Sequence, residues 1–570
     1  MKKANLVLFS FILLLFFGCE SHNDAKHEPS ISGPLKDNQT WFDDESQVVT
    51  SATVTLSSLP SSSLCAPYDN TTAPLRPCTL DDVLHDTDAF DDYSPELSVI
   101  FSATGYSELN EDTNAILKQK GKSTRSAPQK SYKIKLDANV ALYNFQRRLQ
   151  YNKQIYDLTR IRNKLSFDFF QEIPNFGSLK TSFVQLTIDG ENQGLYTKVE
   201  SYDKEYLVNR GYNKDDNLYK AEEFWFSKTA ALNLNSDGKP MDITEFEKII
   251  DPIRGEEQTK LLEMLSALEN LDTDIDLIVD HYFNRDNYLT WLAINIILGN
   301  VDTTTQNYFL LNPLHSDIFY FLPWDYDGAW GWNLQVDQVG NNIYPERVNG
   351  IARYWDSPLH KRFLSKKANR DALDAKIQFL RNNYLTDSKI EEKIASYKLL
   401  IKPYILSVPD MLYLPHGSSG VSTEVEWNNE CDALPARIAN NIVLYNNEKG
   451  KPMPFWQLVT YSDGIMQLIW DKSVDLEGDP VTYSLQLGRD LNLTSNLLVD
   501  AKDLNENSDN ITLSGETFTY TFRPNVVFSS GEVLYMKVVS KDSAGNIQES
   551  FDVVEENHIF YHGTLKIVIP

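Results

Sequence analysis

The chain has 570 residues, enough for about three to five domains, and its 42% hydrophobic content excludes a wholly disordered protein. It carries 80 Asp and Glu against 53 Lys and Arg, and the resulting formal charge of −27 excludes nucleic acid as the main partner. Its 4 cysteines are too few for a disulfide framework or a cysteine-rich metal array. The 12% aromatic content favours a β-rich secreted or surface protein.

The amino terminus has the pattern of an export signal. Charged residues precede an apolar stretch of about a dozen residues, too short to span a bilayer, which ends in Gly18-Cys19. A small residue before a cysteine resembles a bacterial lipobox. We therefore expect a lipoprotein signal peptide over 1–19, a flexible tether over 20–45, and anchoring in the cell envelope by lipid on Cys19, at the outer membrane or the cell surface. An ordinary signal peptide with an incidental cysteine is the alternative.

The next segment, 46–94, is predicted to be β-rich. Cys65 and Cys78 bracket a stretch rich in Pro, Asn and Thr, and outside the cytoplasm we expect them to close a loop. Two unrelated thiols are the alternative. Cys431 is then left without a partner.

The central region mixes strands and helices. Alternation predicts strands over 48–59, 97–104 and 131–136, and an apolar stripe predicts a helix over 156–173, with Asp157 able to cap it. A β-hairpin is predicted around the Asp-Gly pair at 189–190, between FVQLTI and GLYTKVE.

Helices dominate the following part of the chain. The apolar spacing predicts helices over 257–271, 283–299 and 370–403, and two short strands, YFLL and IFYFLP, lie between the last two of them. Segment 406–455 is predicted to be a linker. From 456 to 570, strands and turn signals alternate about every ten residues, which predicts a β-sandwich that resembles the fibronectin- or cadherin-like modules of bacterial surface proteins. Such a module serves as a spacer or in adhesion.

The residues between Gly299 and Gly331 carry the chemistry. Asp302 follows a helix, Asn307 begins a strand, and Asp325 follows the returning strand, so one short hairpin separates the three side chains and can bring them together. Phosphoryl transfer needs this set: a carboxylate that orients or deprotonates the attacking hydroxyl, and oxygen ligands for a divalent cation.

The same block carries a family resemblance. NVDTTTQNYFLL and FYFLPWDYDGAWGW resemble the CotH-type atypical protein kinases. GKSTRSAPQKSYKIKL is similar to the family's glycine-serine-rich loop and following strand, IRNKLSFDFFQEI to its next helix, and FVQLTIDGENQGLYTKVESYDKEYL and NLYKAEEF to its central sheet. The resemblance covers about residues 95–405. It implies an α+β, two-lobed kinase-like domain that transfers the γ-phosphate of ATP to Ser or Thr of an extracytoplasmic protein, with Mg²⁺ or possibly Mn²⁺.

The resemblance also implies residue roles. Asp302 falls on the catalytic aspartate and Asn307 and Asp325 on the metal ligands, with Asp327 as a supporting carboxylate. Lys130 falls near the lysine that neutralises the nucleotide phosphates, and Lys133 is the alternative.

Other roles concern the rest of the nucleotide site. Arg125 would touch a phosphate and Glu200 the adenine, while either Asp168 or Glu172 would pair with the lysine. The Gly-Lys-Ser at 121–123 is not a Walker motif, because Ile116 stands where the first glycine of that motif belongs.

Two other functions fit the sequence less well. One is a surface binding or adhesion lipoprotein with a catalytically silent kinase-like domain, whose tryptophans stack on a cell-surface ligand. The other is a hydrolase that uses Asp302 and Asp325 as its two carboxylates.

Overall fold

The computed structural model describes residues 35, 39–43, 45, 47–58, 60–61, 63–69, 72–87, 94–107, 113–415, 421–495 and 497–570. The predicted signal peptide, Cys19 and most of the predicted tether lie outside these residues. Within them, no helix combines the length and the hydrophobicity that a membrane span requires. The disulfide prediction is confirmed, since Cys65 is bonded to Cys78, and Cys431 is free and buried.

The amino-terminal part is a β-sheet that closes on itself. The strands in this part of the chain are β1 (Thr50–Leu56), β2 (Leu64–Cys65), β3 (Arg76–Pro77), β4 (Leu97–Ala103), β5 (Tyr106–Ser107), β6 (Ala115–Lys120), β7 (Ser131–Leu136), β8 (Arg148–Asn152), β9 (Thr181–Ile188) and β10 (Glu191–Val199). Strands β2 and β3 form a separate two-stranded sheet, and the other eight form the closed sheet. The order is β1-β9-β10-β8-β7-β6-β4-β5, and closure follows because β1 also pairs with β4. The predicted strands and the hairpin at 189–190 are therefore confirmed.

Alternation along the strands decides which side chains fill this barrel. Tyr132 and Ile134 of β7 are buried in a cluster with Leu117 and the other inward residues, whereas Ser131 and Lys133 point to the opposite face. The strand sequence SYKIKL thus places its lysines on the outside of the barrel.

The helices of the chain are α1 (Leu80–His85), α2 (Arg162–Phe170), α3 (Lys204–Asn209), α4 (Ile243–Ile249), α5 (Thr259–Glu269), α6 (Ile275–Tyr282), α7 (Arg285–Leu298), α8 (Pro358–Ser365), α9 (Lys367–Asn383), α10 (Asp387–Ile405) and α11 (Thr423–Lys449). A small sheet with the order β12-β11-β13-β14 lies among them, formed by β11 (Asn217–Ala221), β12 (Ile250–Arg254), β13 (Tyr308–Asn312) and β14 (Tyr320–Pro323). Most of these helices share one large hydrophobic core with the small sheet.

The predicted helix over 156–173 is shorter than expected. Asp157 accepts hydrogen bonds from the backbone of Thr159 and Arg162 at 2.9 and 3.2 Å, and Arg160 has a left-handed φ of 59°. This turn delays the start of α2 and leaves Asp157 in a loop ahead of the helix.

The segment predicted to be a linker, 406–455, contains α11 instead. Its buried residues Trp427, Leu434 and Ile438 join the main core, and α11 packs against α7 and α10. The predicted helix over 370–403 is divided into α9 and α10, whereas 257–271 and 283–299 correspond to α5 and α7.

The carboxy-terminal region is the predicted β-sandwich. Its strands are β15 (Gln457–Ser462), β16 (Ile465–Asp471), β17 (Thr482–Gly488), β18 (Leu497–Leu504), β19 (Ile511–Ser514), β20 (Thr517–Phe522), β21 (Val533–Lys541), β22 (Ile547–Glu549), β23 (Val553–Glu556), β24 (Ile559–His562) and β25 (Thr564–Val568). The sheets β15-β16-β20-β19 and β18-β17-β21-β22 enclose their own core.

Candidate active site

Two adjacent loops carry the carboxylates. The first follows α7, whose capping residue Gly299 has a left-handed φ of 60°, and reaches Asp302. The second follows β14 and runs from Asp325 to Gly331. The loops are joined where the Trp330 amide donates to the Leu298 carbonyl at 2.7 Å. A Cβ atom at Gly328 would lie 3.7 Å from the Cβ of Asp302, which places the two loops in direct contact.

Asp302 and Asn307 form a hydrogen-bonded unit. The side-chain amides of Gln306 and Asn307 each donate to one carboxylate oxygen of Asp302 at 2.6 Å, and the Asp302 backbone amide donates to Asn300 at 3.3 Å. Asn307 has a left-handed φ of 58°, a conformation that asparagine tolerates better than most residues. Asp302 is an exposed residue, and it lines the cleft described below.

The Asp325 loop is held from behind by buried polar contacts. Tyr326 donates its backbone amide to Asn163 of α2 at 3.0 Å and its hydroxyl to Asn295 of α7 at 2.9 Å, and the Trp330 indole donates to Ser166 at 2.8 Å. Asp325 itself has a left-handed φ of 56°. Such a backbone in a non-glycine residue is strained and persists where the surroundings fix it.

Both loops face the outer side of the barrel across a cleft of about 360 Å³. Its walls come from β6 and the following loop, from the chain after β8, from the two carboxylate loops and from the segment that follows them. The lining residues used below are Lys120, Gly121, Asn152, Gln154, Asp157, Asp302, Asp325, Asp327 and Tyr344.

The acidic wall perturbs its own carboxyl groups. Removal from water raises the pKa of Asp327 well above its usual range, and the charges of Asp325, Asp157 and Asp302 raise it further. Removal from water also raises the pKa of Asp302, and the charge of Asp325 adds to this effect, while the hydrogen bond from Gln306 opposes it. The cleft therefore concentrates negative charge that a cation would stabilise.

Lys120 faces this acidic wall. Its ammonium donates to the Asn152 side chain at 2.6 Å and lies 5.0 Å from the centre of the Trp324 ring. Removal from water lowers the pKa of Lys120 to about 8, although Asp325 and Asp327 act in the opposite direction. Lys120 is at the end of β6 opposite Ser131, on the same face as Lys133.

The structure corrects the prediction for Lys130. Its ammonium donates to the Arg125 carbonyl, and it lines a different cavity with Tyr132 and Tyr196. Lys130 precedes β7 and comes after the short 3-10 helix at Ser123–Ser126, and this detour of the chain takes it away from the carboxylates. Removal from water lowers the pKa of the alternative, Lys133, to about 8, and Lys133 shares the face of Lys120.

Arg125 and Glu200 are engaged elsewhere. The Arg125 guanidinium donates to Asp86 and Ser94 at 3.0 and 2.5 Å and to the Gly121 carbonyl at 2.9 Å, so it closes the loop on itself. Glu200 is 1% exposed and accepts two hydrogen bonds from Arg210 at 2.9 and 2.7 Å. Neither residue lines the cleft, which overturns their predicted contacts with phosphate and adenine in this structure.

Neither predicted helix carboxylate pairs with a cleft lysine. Asp168 bonds Lys164 of its own helix and the Tyr397 hydroxyl, and Glu172 bonds Lys389 at 3.0 Å. Sequence reasoning missed Lys120, Gln154 and Asp157 as cleft residues. The position of Lys120 depends on the pairing of this residue with Ser131 in the neighbouring strand, and the sequence carries no signal for that pairing.

Carboxylates that line a cleft opposite a lysine-bearing β-sheet are the groups expected in a kinase-like protein. The family described as CotH kinase protein matches residues 117–442, more than half of the chain. The chain belongs to the CotH kinase family.

Parts of the chain are also similar to individual proteins. Inner spore coat protein H of Bacillus subtilis (strain 168) is 26% identical over 293 residues, which are 51% of this chain and 77% of that protein. Among solved structures, the Helicobacter pylori proinflammatory kinase CtkA is 13% identical, with 55% of this chain and 94% of that chain covered and a TM-score of 0.22. HipA in its toxin–antitoxin complex from Shewanella oneidensis MR-1 is 10% identical, with coverages of 63% and 65% and a TM-score of 0.23.

Proposed function

We propose that the protein transfers the γ-phosphate of ATP to a Ser or Thr hydroxyl of a protein substrate. The observation that carries this proposal is that Asp302, Asp325 and Asp327 line one cleft opposite the ammonium of Lys120. Phosphoryl transfer is catalysed mainly by positioning and by electrostatic stabilisation, and this cleft supplies groups for both.

In this proposal, Asp302 receives the acceptor hydroxyl. It is accessible, and the amides of Gln306 and Asn307 hold its carboxylate in one orientation. Its raised pKa makes it a better proton acceptor than an ordinary aspartate. We assign to it the orientation of the hydroxyl and the removal of its proton.

Asp325, Asp327 and Asn307 would hold Mg²⁺ or Mn²⁺. Their carboxylate and amide oxygens are the hard donors that these ions prefer, and the raised pKa of Asp327 marks a site with an excess of negative charge. When bound, the ion would neutralise charge on the phosphates. Asn307 would contribute from beside Asp302, which it already contacts.

Lys120 and Gly121 would receive the phosphates on the opposite wall. An ammonium in a partly buried site gains more from a phosphate than an exposed one does. Gly121 has a φ of 97°, and a Cβ atom there would lie 2.1 Å from the Thr124 hydroxyl oxygen, so any other residue would strain this turn.

The cellular setting is part of the proposal. We infer that the protein acts at the cell envelope, tethered by lipid on Cys19, because residues 1–19 have the pattern of a lipoprotein signal peptide. Its substrates would then be extracytoplasmic proteins.

The test uses the full chain, labelled ATP, Mg²⁺ or Mn²⁺, and a generic Ser/Thr acceptor. Asp302→Asn should abolish transfer and leave ATP affinity within about twofold, because Asp302 acts on the hydroxyl. Asp325→Asn should abolish transfer and also remove the part of ATP affinity that depends on the metal. Asp500→Asn, on an exposed strand of the sandwich, is the matched control.

A parent protein that shows neither transfer nor a thermal shift with millimolar Mg²⁺-ATP would refute the kinase and favour the surface binding protein. Full transfer by Asp302→Asn would refute the role of that residue alone.

A further inference from the structure

A buried glutamine in the cleft wall has no hydrogen-bond partner for its side chain among the described residues. Gln154 is 5% exposed, and neither its amide nitrogen nor its amide oxygen has a hydrogen-bond partner among the described residues. It lines the cleft beside Lys120 and Asp157. Buried polar side chains are nearly always hydrogen-bonded in native proteins, so a carboxamide that lines a cleft and has no protein partner is a candidate contact for a ligand in that cleft.

Neighbouring residues fix the backbone around Gln154 in the cleft wall. Its φ is 51°, in the left-handed region. The preceding residue, Lys153, points the other way, where its ammonium bonds Asp410 at 2.7 Å, and its carbonyl accepts from Arg160 at 2.6 Å. On the other side, the Asp157 amide donates to the Gln154 carbonyl at 3.0 Å. The orientation of Gln154 is therefore imposed by its neighbours.

The surroundings of Gln154 indicate which part of a ligand it would meet. Asn152, two residues earlier, accepts the hydrogen bond from Lys120, the cation assigned to the phosphates. Asp157, three residues later, lies close enough to Asp327 for the two charges to interact. Gln154 thus lines the same cleft as the lysine assigned to the phosphates and the carboxylates assigned to the metal ion, and the terminal phosphate would be placed between those two groups.

We propose that Gln154 is a nucleotide-recognition residue whose amide nitrogen donates to the γ-phosphate, so that the cleft distinguishes ATP from ADP. Its amide oxygen would accept a hydrogen bond from a water molecule beside that phosphate. The proposal rests on the function proposed above and adds to it the residue that binds the terminal phosphate.

The chain offers a matched control for this residue. Gln146 is 3% exposed and both atoms of its side-chain amide also lack partners, but it does not line the cleft. Gln146→Leu therefore reproduces the loss of a buried amide without touching the nucleotide.

The experiment measures the Kd values of Mg²⁺-ATP and Mg²⁺-ADP by calorimetry for the full-length parent, Gln154→Leu, Gln154→Glu and Gln146→Leu. Gln154→Leu should weaken ATP binding about tenfold and ADP binding less than about twofold, as expected for one hydrogen bond to a charged group. Gln154→Glu keeps the size of the side chain and adds repulsion, so it should weaken ATP binding at least as much, and it replaces Gln154→Leu if that variant does not fold. Gln146→Leu should bind both nucleotides like the parent.

Equal ATP affinity in the parent and the Gln154 variants would overturn this inference and leave the proposed function standing, as would an equal loss for ATP and ADP. A parent that binds neither nucleotide would overturn the proposed function and this inference together.

Discussion

Replacing Lys120 by methionine tests whether Lys120, rather than the predicted Lys130, binds the phosphates of ATP. The ammonium of Lys120 is enclosed between the Asn152 side chain at 2.6 Å and the Trp324 ring at 5.0 Å. The other lysine of the cleft, Lys122, is 71% exposed and pairs with Glu222 at 3.2 Å. Lys120 should therefore supply most of the lysine contribution to phosphate binding.

The size of the effect follows from the kind of bond that is lost. A hydrogen bond to a charged group contributes about 1.5–3 kcal/mol, which corresponds to roughly a 10- to 150-fold increase in the Kd for ATP. Methionine keeps the length and apolar stem of the side chain, so packing against Trp324 is preserved. Lys130→Met, at the position first predicted from the sequence, should leave the Kd unchanged, because Lys130 lines another cavity.

The same residue predicts a pH dependence. The pKa of Lys120 is about 8, and a bound phosphate favours the ammonium, so the complex holds the proton to a higher pH than the free protein does. ATP affinity should be constant below pH 8 and fall above it by up to about tenfold per pH unit, with proton uptake on binding. Lys120→Arg should abolish this dependence, since a guanidinium stays charged.

Calorimetry at pH 7 and pH 9 in buffers of different ionisation enthalpy measures both quantities. If Lys130→Met weakens ATP binding and Lys120→Met does not, the assignment of the cleft lysine is wrong.

Three other changes probe the rest of the chain. Glu200→Leu should lower the free energy of unfolding by about 3–5 kcal/mol, because it leaves the Arg210 charge buried without its partner, while ATP affinity of the folded protein should not change; a loss of affinity at normal stability would restore the adenine role. Burial lowers the pKa of His360 to about 3, so the unfolded state binds a proton at a higher pH than the folded state does. Between pH 6.5 and pH 3, acid should therefore lower the free energy of unfolding of the parent, relative to that of His360→Phe, by up to about 1.4 kcal/mol per pH unit. Urea unfolding at several pH values measures this difference, and parallel profiles for the two proteins would contradict it. Cys65→Ser should lower the unfolding free energy by about 2–3 kcal/mol, because the bond to Cys78 closes a loop with a sequence separation of 13, and an unchanged urea midpoint would contradict this.

The carboxylates were predictable because their arrangement is local. Asp302, Asn307 and Asp325 are connected by a single hairpin, β13 and β14, whose pairing places Tyr308 opposite Pro323. Strand alternation and turn residues are enough to place such a unit from the sequence.

The cation was not predictable because its position depends on pairing between strands. Lys118, Lys120, Lys130 and Lys133 all lie near the glycine loop in the sequence. Only the register Lys120 to Ser131 and the detour before β7 decide which of them faces the carboxylates. Glu200 failed for a related reason, since its partner Arg210 lies beyond the end of α3 and the sequence gives no sign of their bidentate contact.

The boundaries of the kinase-like part also depend on distant contacts. The predicted range, 95–405, excludes β1, which closes the barrel between β4 and β9, and α11, whose Trp427 donates to the Thr159 carbonyl at 3.2 Å beside the cleft loop. The Asn- and Glu-rich composition of α11, with Pro435 inside the helix, is typical of a linker, although its buried residues recur at helical spacing.

The β-sandwich contacts the segment that forms one wall of the cleft, which a simple spacer would not do. Tyr344 forms part of the cleft wall, and its hydroxyl accepts from the Trp332 indole at 3.3 Å. The chain on either side of Tyr344 is held by the sandwich, since the Asn342 carbonyl accepts from His562 at 2.8 Å and Arg347 donates to the Phe551 carbonyl at 2.8 Å. A wall of the cleft thus depends on residues more than 200 positions later in the chain, as the sequence separations of 204 and 220 show. No local pattern in the sequence encodes that dependence, because both contacts use backbone carbonyls, which every residue possesses.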